Sequence, residues 1–270
     1  MDLIQMFSYP FMQRAFLVGI LVSLCASLLG VSLVLKHYSM IGDGLSHVGF
    51  GALAVASALN LAPLSVAVPV VVAAAFLLLR LSESGKLNGD AAIAMISTGA
   101  LAVGVMVVSL STGMNSDLNS YMFGSILAMS REDVVLSVIL SVVVLALYLF
   151  FYEKIFAVTF DAAFARATGI HTGWYHMLLA VLTAVTVVLG MRMMGALLIS
   201  SLIIFPALTA MRVFRQYRSV ILCAVCISVL SFVLGITMSF VLGTPAGASI
   251  VVVDIGLYLI FWIIGFIKRH

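Results

Sequence analysis

Apolar segments of membrane-spanning length follow one another along this chain with little polar sequence between them. A helix needs about 20 predominantly apolar residues to cross about 30 Å of hydrocarbon. Segments of that kind run at 14–35, 45–61, 63–81, 91–110, 133–152, 173–191, 195–213, 219–242 and 250–267. They use nearly all of the 270 residues, so a single transmembrane domain, 1–270, is expected and no soluble domain. Charged residues make up 9% of the chain, against about 25% in soluble domains. The expected fold class is therefore all-α, a polytopic membrane bundle of eight or nine helices. The eight-span alternative arises within 45–81, where Asn60 and Pro63 permit a re-entrant or broken helix.

Orientation follows the excess of Lys and Arg in cytoplasmic loops. Placing Lys36, Arg80, Lys86, Lys154, Arg166, Arg212, Arg215, Arg218, Lys268 and Arg269 inside accounts for ten of the 13 basic residues. Arg14, Arg131 and Arg192 remain outside, which gives nine spans with the amino terminus out and the carboxyl terminus in. The start of the chain lacks a basic region and carries Asp2 and Gln5, so the first span is expected to be retained rather than cleaved. The net charge of +3 is scattered one or two residues per loop, which does not make a nucleic-acid surface. Cys25, Cys223 and Cys226 all fall within spans, where packing rather than a disulfide is expected.

Against this background Met40-Ile41-Gly42-Asp43-Gly44-Leu45-Ser46-His47 stands out. A carboxylate and an imidazole four residues apart share one helical face and can grip one cation. Ionisable groups at membrane depth are costly and commonly line a substrate path. Two ligands are too few for a closed site, so Asp90, Ser46, water or a second copy of the chain would have to add more. A structural alternative has Asp43 capping the second helix while His47 bonds a backbone carbonyl. One nitrogen and one carboxylate ligand tilt the choice slightly toward Zn(II) over Mn(II), which favours oxygen-rich shells.

Other polar positions read as structural. Asp90 suits a helix start, and Asp254, inside the last span, needs a partner such as Ser249 or Arg192. His171 and His176 suit an interface, and Met191, Met193 and Met194 suit packing. Residues 114–120 form an external polar loop. Runs such as Gly99-Ala100-Leu101-Ala102-Val103-Gly104 let helix backbones approach closely.

Two cytoplasmic loops carry more information. Within 153–172 a short amphipathic helix is expected, capped by Asp161 and ended by Gly169. In 205–218, Pro206 is expected to break a span before an Arg-rich corner, suited to lipid phosphates or to a partner's groove. No Gly-x-x-x-x-Gly-Lys-Ser/Thr loop exists, so any ATP would be bound by another chain.

Several stretches together resemble the manganese/zinc permease family of bacterial ATP-binding cassette importers, with details around Asp43 closer to its zinc-type members. They are Leu35-Lys36 through His47, Gly89-Asp90-Ala91-Ala92-Ile93-Ala94, Ala165-Arg166-Ala167-Thr168-Gly169-Ile170, and Gly195 through Ala210. Thr244-Pro245-Ala246-Gly247-Ala248-Ser249 resembles the family's external loop, with alanine at a usual serine. The resemblance implies a type II importer-like permease of the bacterial plasma (inner) membrane, working as a homodimer or pseudo-dimer. It implies cytoplasmic ATPase subunits, an extracellular or periplasmic metal-binding protein, and transported Zn(II) or Mn(II) with no permanently bound cofactor. Metal contacts would be Asp43, His47 and Asp90. The ATPase would meet chiefly Pro206, Ala210, Arg212, Phe214, Arg215, Tyr217 and Arg218, with Ala165 and Gly169 secondary.

The rival reading is an ion-coupled secondary transporter of divalent cations, using Asp43, Asp90 and Asp254 as proton sites. An intramembrane metalloprotease is not expected, since such enzymes commonly use a His-Glu-x-x-His helix and none is present in the sequence.

Overall fold

The computed structural model describes residues 9–36, 38–83, 89–111, 124 and 130–267. Among these the chain forms helices and no strand: α1 (Pro10–Leu35), α2 (Ser39–Ala58), α3 (Pro63–Glu83), α4 (Gly89–Leu110), α5 (Arg131–Phe150), α6 (Tyr152–Phe160), α7 (Ala162–Ala167), α8 (Thr172–Met194), α9 (Ala196–Val213), α10 (Tyr217–Leu242) and α11 (Ala246–Ile267). Every apolar segment expected from the sequence falls on one long helix. Seven of these, α1, α3, α4, α5, α8, α10 and α11, are long and apolar enough to cross a membrane. The other two long helices, α2 and α9, are the ones that carry the polar site described below.

Local chemistry sets the helix ends. Pro10 opens α1, where its missing N–H costs nothing. Ser130 and Asp133 form a reciprocal capping box at the start of α5. Asn60 adopts φ 54° in the turn after α2, and Pro63 starts α3, so 45–81 holds two separate helices rather than one broken one. Pro206 departs from expectation: it lies inside α9, which continues to Val213, because neighbouring helices support the turn that the ring weakens. Gly195 alone separates α8 from α9, at φ 91° and ψ 156°, a region essentially reserved for glycine. Beyond it the chain folds back, so that Ile199 packs where a side chain on Gly190 would stand.

Helix α1 lies at the centre, packed by α5, α8, α9 and α10, while α2 is surrounded by α3, α4, α8 and α9. Close approach depends on small residues. A Cβ on Gly30 would come within 2.0 Å of the Ile203 carbonyl oxygen on α9, and one on Gly51 within 2.6 Å of the Ala100 carbonyl oxygen on α4. By contrast α4, α5 and α11 leave most of their surface uncovered, as helices bordering lipid do.

Buried polar contacts pin the bundle at both ends. At the end where α1 and α5 finish and α10 begins, the hydroxyls of Ser32, Tyr148 and Tyr217 form a closed triangle with sides of 3.1, 2.9 and 3.1 Å, joining α1, α5 and α10. Three hydroxyls in a ring can each donate once and accept once, so no water is needed. Tyr217→Phe opens the ring and is expected to destabilise the protein by about 1 kcal/mol. Thermal unfolding in detergent measures this as a fall of about 2–4 °C. Lys36 Nζ donates to His176 Nε2, tying α1 to α8. At the opposite end Arg192 Nη2 lies 2.8 Å from Asp133 Oδ2.

That last pair corrects the expectation for Asp254. Arg192 is engaged by Asp133, and Ser249 bonds Thr244 Oγ1 and the Pro245 carbonyl. Asp254 is 1% exposed on α11, and neither carboxyl oxygen has a hydrogen-bond partner among the described residues.

A candidate metal site and its relatives

Asp43 and His47 lie in the second and third turns of α2, since that helix begins at Ser39 with Tyr38 as its N-cap. Asp43 therefore does not cap the helix. Its Oδ2 is 3.7 Å from His47 Nε2, too long for a hydrogen bond, so the two groups do not satisfy each other. Two ligands held at about 2.1 Å from a tetrahedral ion stand about 3.4 Å apart. The observed separation is close to that bite. The Asp43 side chain is 38% accessible and His47 16%, so the pair opens to a surface of the isolated chain.

Ser200 on α9 completes the local group. Its Oγ donates to Asp43 Oδ1 at 3.1 Å, leaving Oδ2 to face the imidazole. Nothing in the sequence singles out Ser200, and only the contact between α2 and α9 reveals it. Ser46 is turned the other way: its Oγ donates to the Asp43 carbonyl at 2.7 Å and it is fully buried. His47 Nδ1 is buried without a partner among the described residues. Asp90 falls in the first turn of α4, and its side chain lies outside the described residues, as does the loop at 114–120. Among the described residues no cluster of three or more His, Cys, Asp or Glu exists.

The position of the site follows from the packing. Asp43 and Ser200 each lie in the second turn of their helix, and their contact joins α2 to α9. Helix α2 is packed on α3, α4, α8 and α9, so the two groups sit between helices of the bundle. Charged and polar groups placed there, next to helix starts, are a recurring arrangement for ion sites in transporters.

On the cytoplasmic side the expected contact residues divide. Pro206, Ala210, Tyr217 and Ala165 are buried within the chain and support the surface from beneath. Arg212 is engaged with α11, its Nη2 donating to Tyr258 Oη at 2.6 Å. Phe214, Arg215, Arg218 and Gly169 are exposed. Helix α7 matches the expected short helix: Asp161 Oδ1 accepts from the Ala163 and Phe164 amides at 2.9 Å, and Gly169 at φ 86° ends it. Helix α6 was not foreseen as a separate element. Beside α7 lies a concave surface of about 500 Å³ that includes Lys154, Gly169, His171 and Trp174, with Phe164 65% exposed nearby.

Residues 8–265 match the ABC 3 transport family. The chain belongs to that family. It is a multi-pass permease of bacterial ABC importers, in agreement with the all-helical bundle. The high-affinity zinc uptake system membrane protein ZnuB of Haemophilus influenzae is 31% identical over 246 residues, covering 91% of this chain and 94% of the relative. The manganese transport system membrane protein MntC of Halalkalibacterium halodurans is 28% identical over 249 residues, covering 92% and 85%. Among solved structures, PsaBC from Streptococcus pneumoniae in complex with Fab superposes with a TM-score of 0.85 at 27% identity, covering 95% of this chain and 92% of that one.

Proposed function

We propose that this permease imports a divalent metal ion, Zn(II) in preference to Mn(II), along a path that passes Asp43 and His47. The observation that carries the reading is the Asp43–His47 pair, held at a metal-like bite and braced by Ser200 inside an apolar bundle. Relatives named for zinc and for manganese transport support the substrate class. A two-ligand site also suits transport, because an ion gripped by four ideal protein ligands would not be released. Asp90 is proposed as a further ligand from α4. A second copy of the chain would supply the same groups again in a dimer.

ATP is proposed to be hydrolysed by separate cytoplasmic subunits, with an external binding protein delivering the ion. The exposed turn at α7, with Phe164, Arg166 and Gly169, is the proposed ATPase surface, with Phe214 as a second contact. This shifts weight away from Pro206, Ala210 and Tyr217, which are buried, and from Arg212, which is engaged with Tyr258. Membership of an ABC family leaves no reason to keep the ion-coupled carrier.

The test is uptake of radioactive zinc and manganese by metal-starved cells carrying the permease with its partner subunits. Zinc uptake that depends on ATP and is outcompeted by cold zinc before cold manganese is the expected result. Uptake that persists after ATP depletion, or that follows neither metal, refutes the reading.

A further inference from the structure

A cleft of about 790 Å³ opens at the cytoplasmic end between α6 and the first turn of α10. Its floor is aromatic: the Phe156 and Phe160 rings lie 4.9 Å and 5.6 Å from that of Tyr217, centroid to centroid. Its rim carries Arg215 and Arg218, with Glu153 as the one acid lining it. Both arginines are exposed, and among the described residues neither makes an ion pair or a hydrogen bond. Arg192 and Arg212, by contrast, are each committed to a partner.

Position tells what such a cleft can hold. It lies at the first residue of α10, a membrane-spanning helix, hence at the depth where hydrocarbon gives way to headgroups. Below Arg218 on the same side of the helix come Leu222 and Cys226, both exposed, and the exposed Leu230 and Leu234 continue the row as it winds round the helix. Leu222 is 67% exposed and Leu230 47%. An unpaired guanidinium thus heads an uncovered apolar patch over the next two turns of the span. A soluble protein partner would match the arginines but not the patch, whereas a phospholipid matches both. The guanidinium fork binds a phosphate in bidentate fashion, and the aromatic rings accept the interfacial part of the lipid.

We propose that this cleft is a binding site for an anionic phospholipid of the cytoplasmic leaflet, its phosphate held by Arg215 and Arg218 and the start of one acyl chain lying against Leu222 and Cys226. With Glu153 opposing two arginines, the site keeps a net positive charge and selects an anionic over a zwitterionic headgroup.

The full chain, purified in detergent, is titrated with phosphatidylglycerol, phosphatidylcholine or inorganic phosphate. Thermal unfolding and native mass spectrometry report the outcome. Phosphatidylglycerol is expected to be retained and to raise the melting temperature, with the other two ineffective at the same concentration. Arg215→Gln with Arg218→Gln is expected to weaken retention about tenfold or more, as befits two basic side chains facing an anionic lipid. Equal stabilisation by phosphatidylcholine overturns the site, as does reproduction of the effect by inorganic phosphate, which would make it an anion site without a lipid. Unchanged retention in the double variant overturns it too. Loss of a co-purifying ATPase with lipid retention intact would assign the arginines to a protein partner instead. Retention by the unmodified chain is read without any variant, so a folding defect in the mutant cannot hide a negative result.

Discussion

Metal uptake is expected to fall by at least about 100-fold when Asp43 is replaced by alanine, with the protein still present in the membrane. Losing a partner one shell removed from a metal commonly costs 10–100-fold, and a direct ligand lies at or beyond the upper end of that range. The carboxylate is half of the proposed two-ligand grip, and its Oδ2 is the atom that faces His47. Ser200→Ala serves as the graded control. Ser200 touches only the other oxygen of Asp43, so its loss frees the carboxylate to rotate without removing it, and a drop of about tenfold is expected. Isotope uptake normalised to membrane protein measures both. Equal rates in wild type and Asp43→Ala would remove the site. Equal loss in the two variants would show that the α2–α9 contact, rather than the ligand, was being measured.

A second large effect is expected from the smallest possible change to α1. Gly30→Ala places a methyl group 2.0 Å from the Ile203 carbonyl oxygen, and backbone cannot rotate out of the way as a side chain can. Overpacking usually costs about 1–3 kcal/mol, and a clash with backbone belongs at the top of that range or above it. The helices must separate. Ser200 lies one turn before Ile203 on the same helix, so a displaced α9 also carries it away from Asp43 and uptake falls with stability. Gly99→Ala is the matched control, because nothing stands within 4 Å of a Cβ there. The two variants add one methyl group each to a helical glycine. Thermal unfolding of both separates packing from helix propensity, and similar melting temperatures would show that α1 and α9 are not in the close contact described.

The long helices were legible because lipid enforces a simple rule: an isolated backbone polar group is too costly in hydrocarbon, so each apolar run of sufficient length becomes a helix. The limits of α2 were less clear. Its glycines and its Asp–His pair lower its apolar content, and the segment read from sequence began at 45, leaving Asp43 in the position of a cap. In the structure the helix starts at Ser39 and draws the carboxylate inside. Proline misled in the opposite direction, since Pro206 reads as a break but is held within α9 by the helices around it.

What the sequence determined alone was the helical bundle and the Asp43–His47 pair, because these follow from local composition and from spacing on one helix. What only the tertiary structure decided was everything that joins residues far apart in the chain. Ser200 bracing Asp43 across 157 positions, Arg192 choosing Asp133 over Asp254, and the burial of Tyr217 beneath an otherwise exposed corner are of this kind. Periodicity along one helix says which side is apolar but not which neighbour will cover it, and that choice is made by the close approach of backbones at a few small residues.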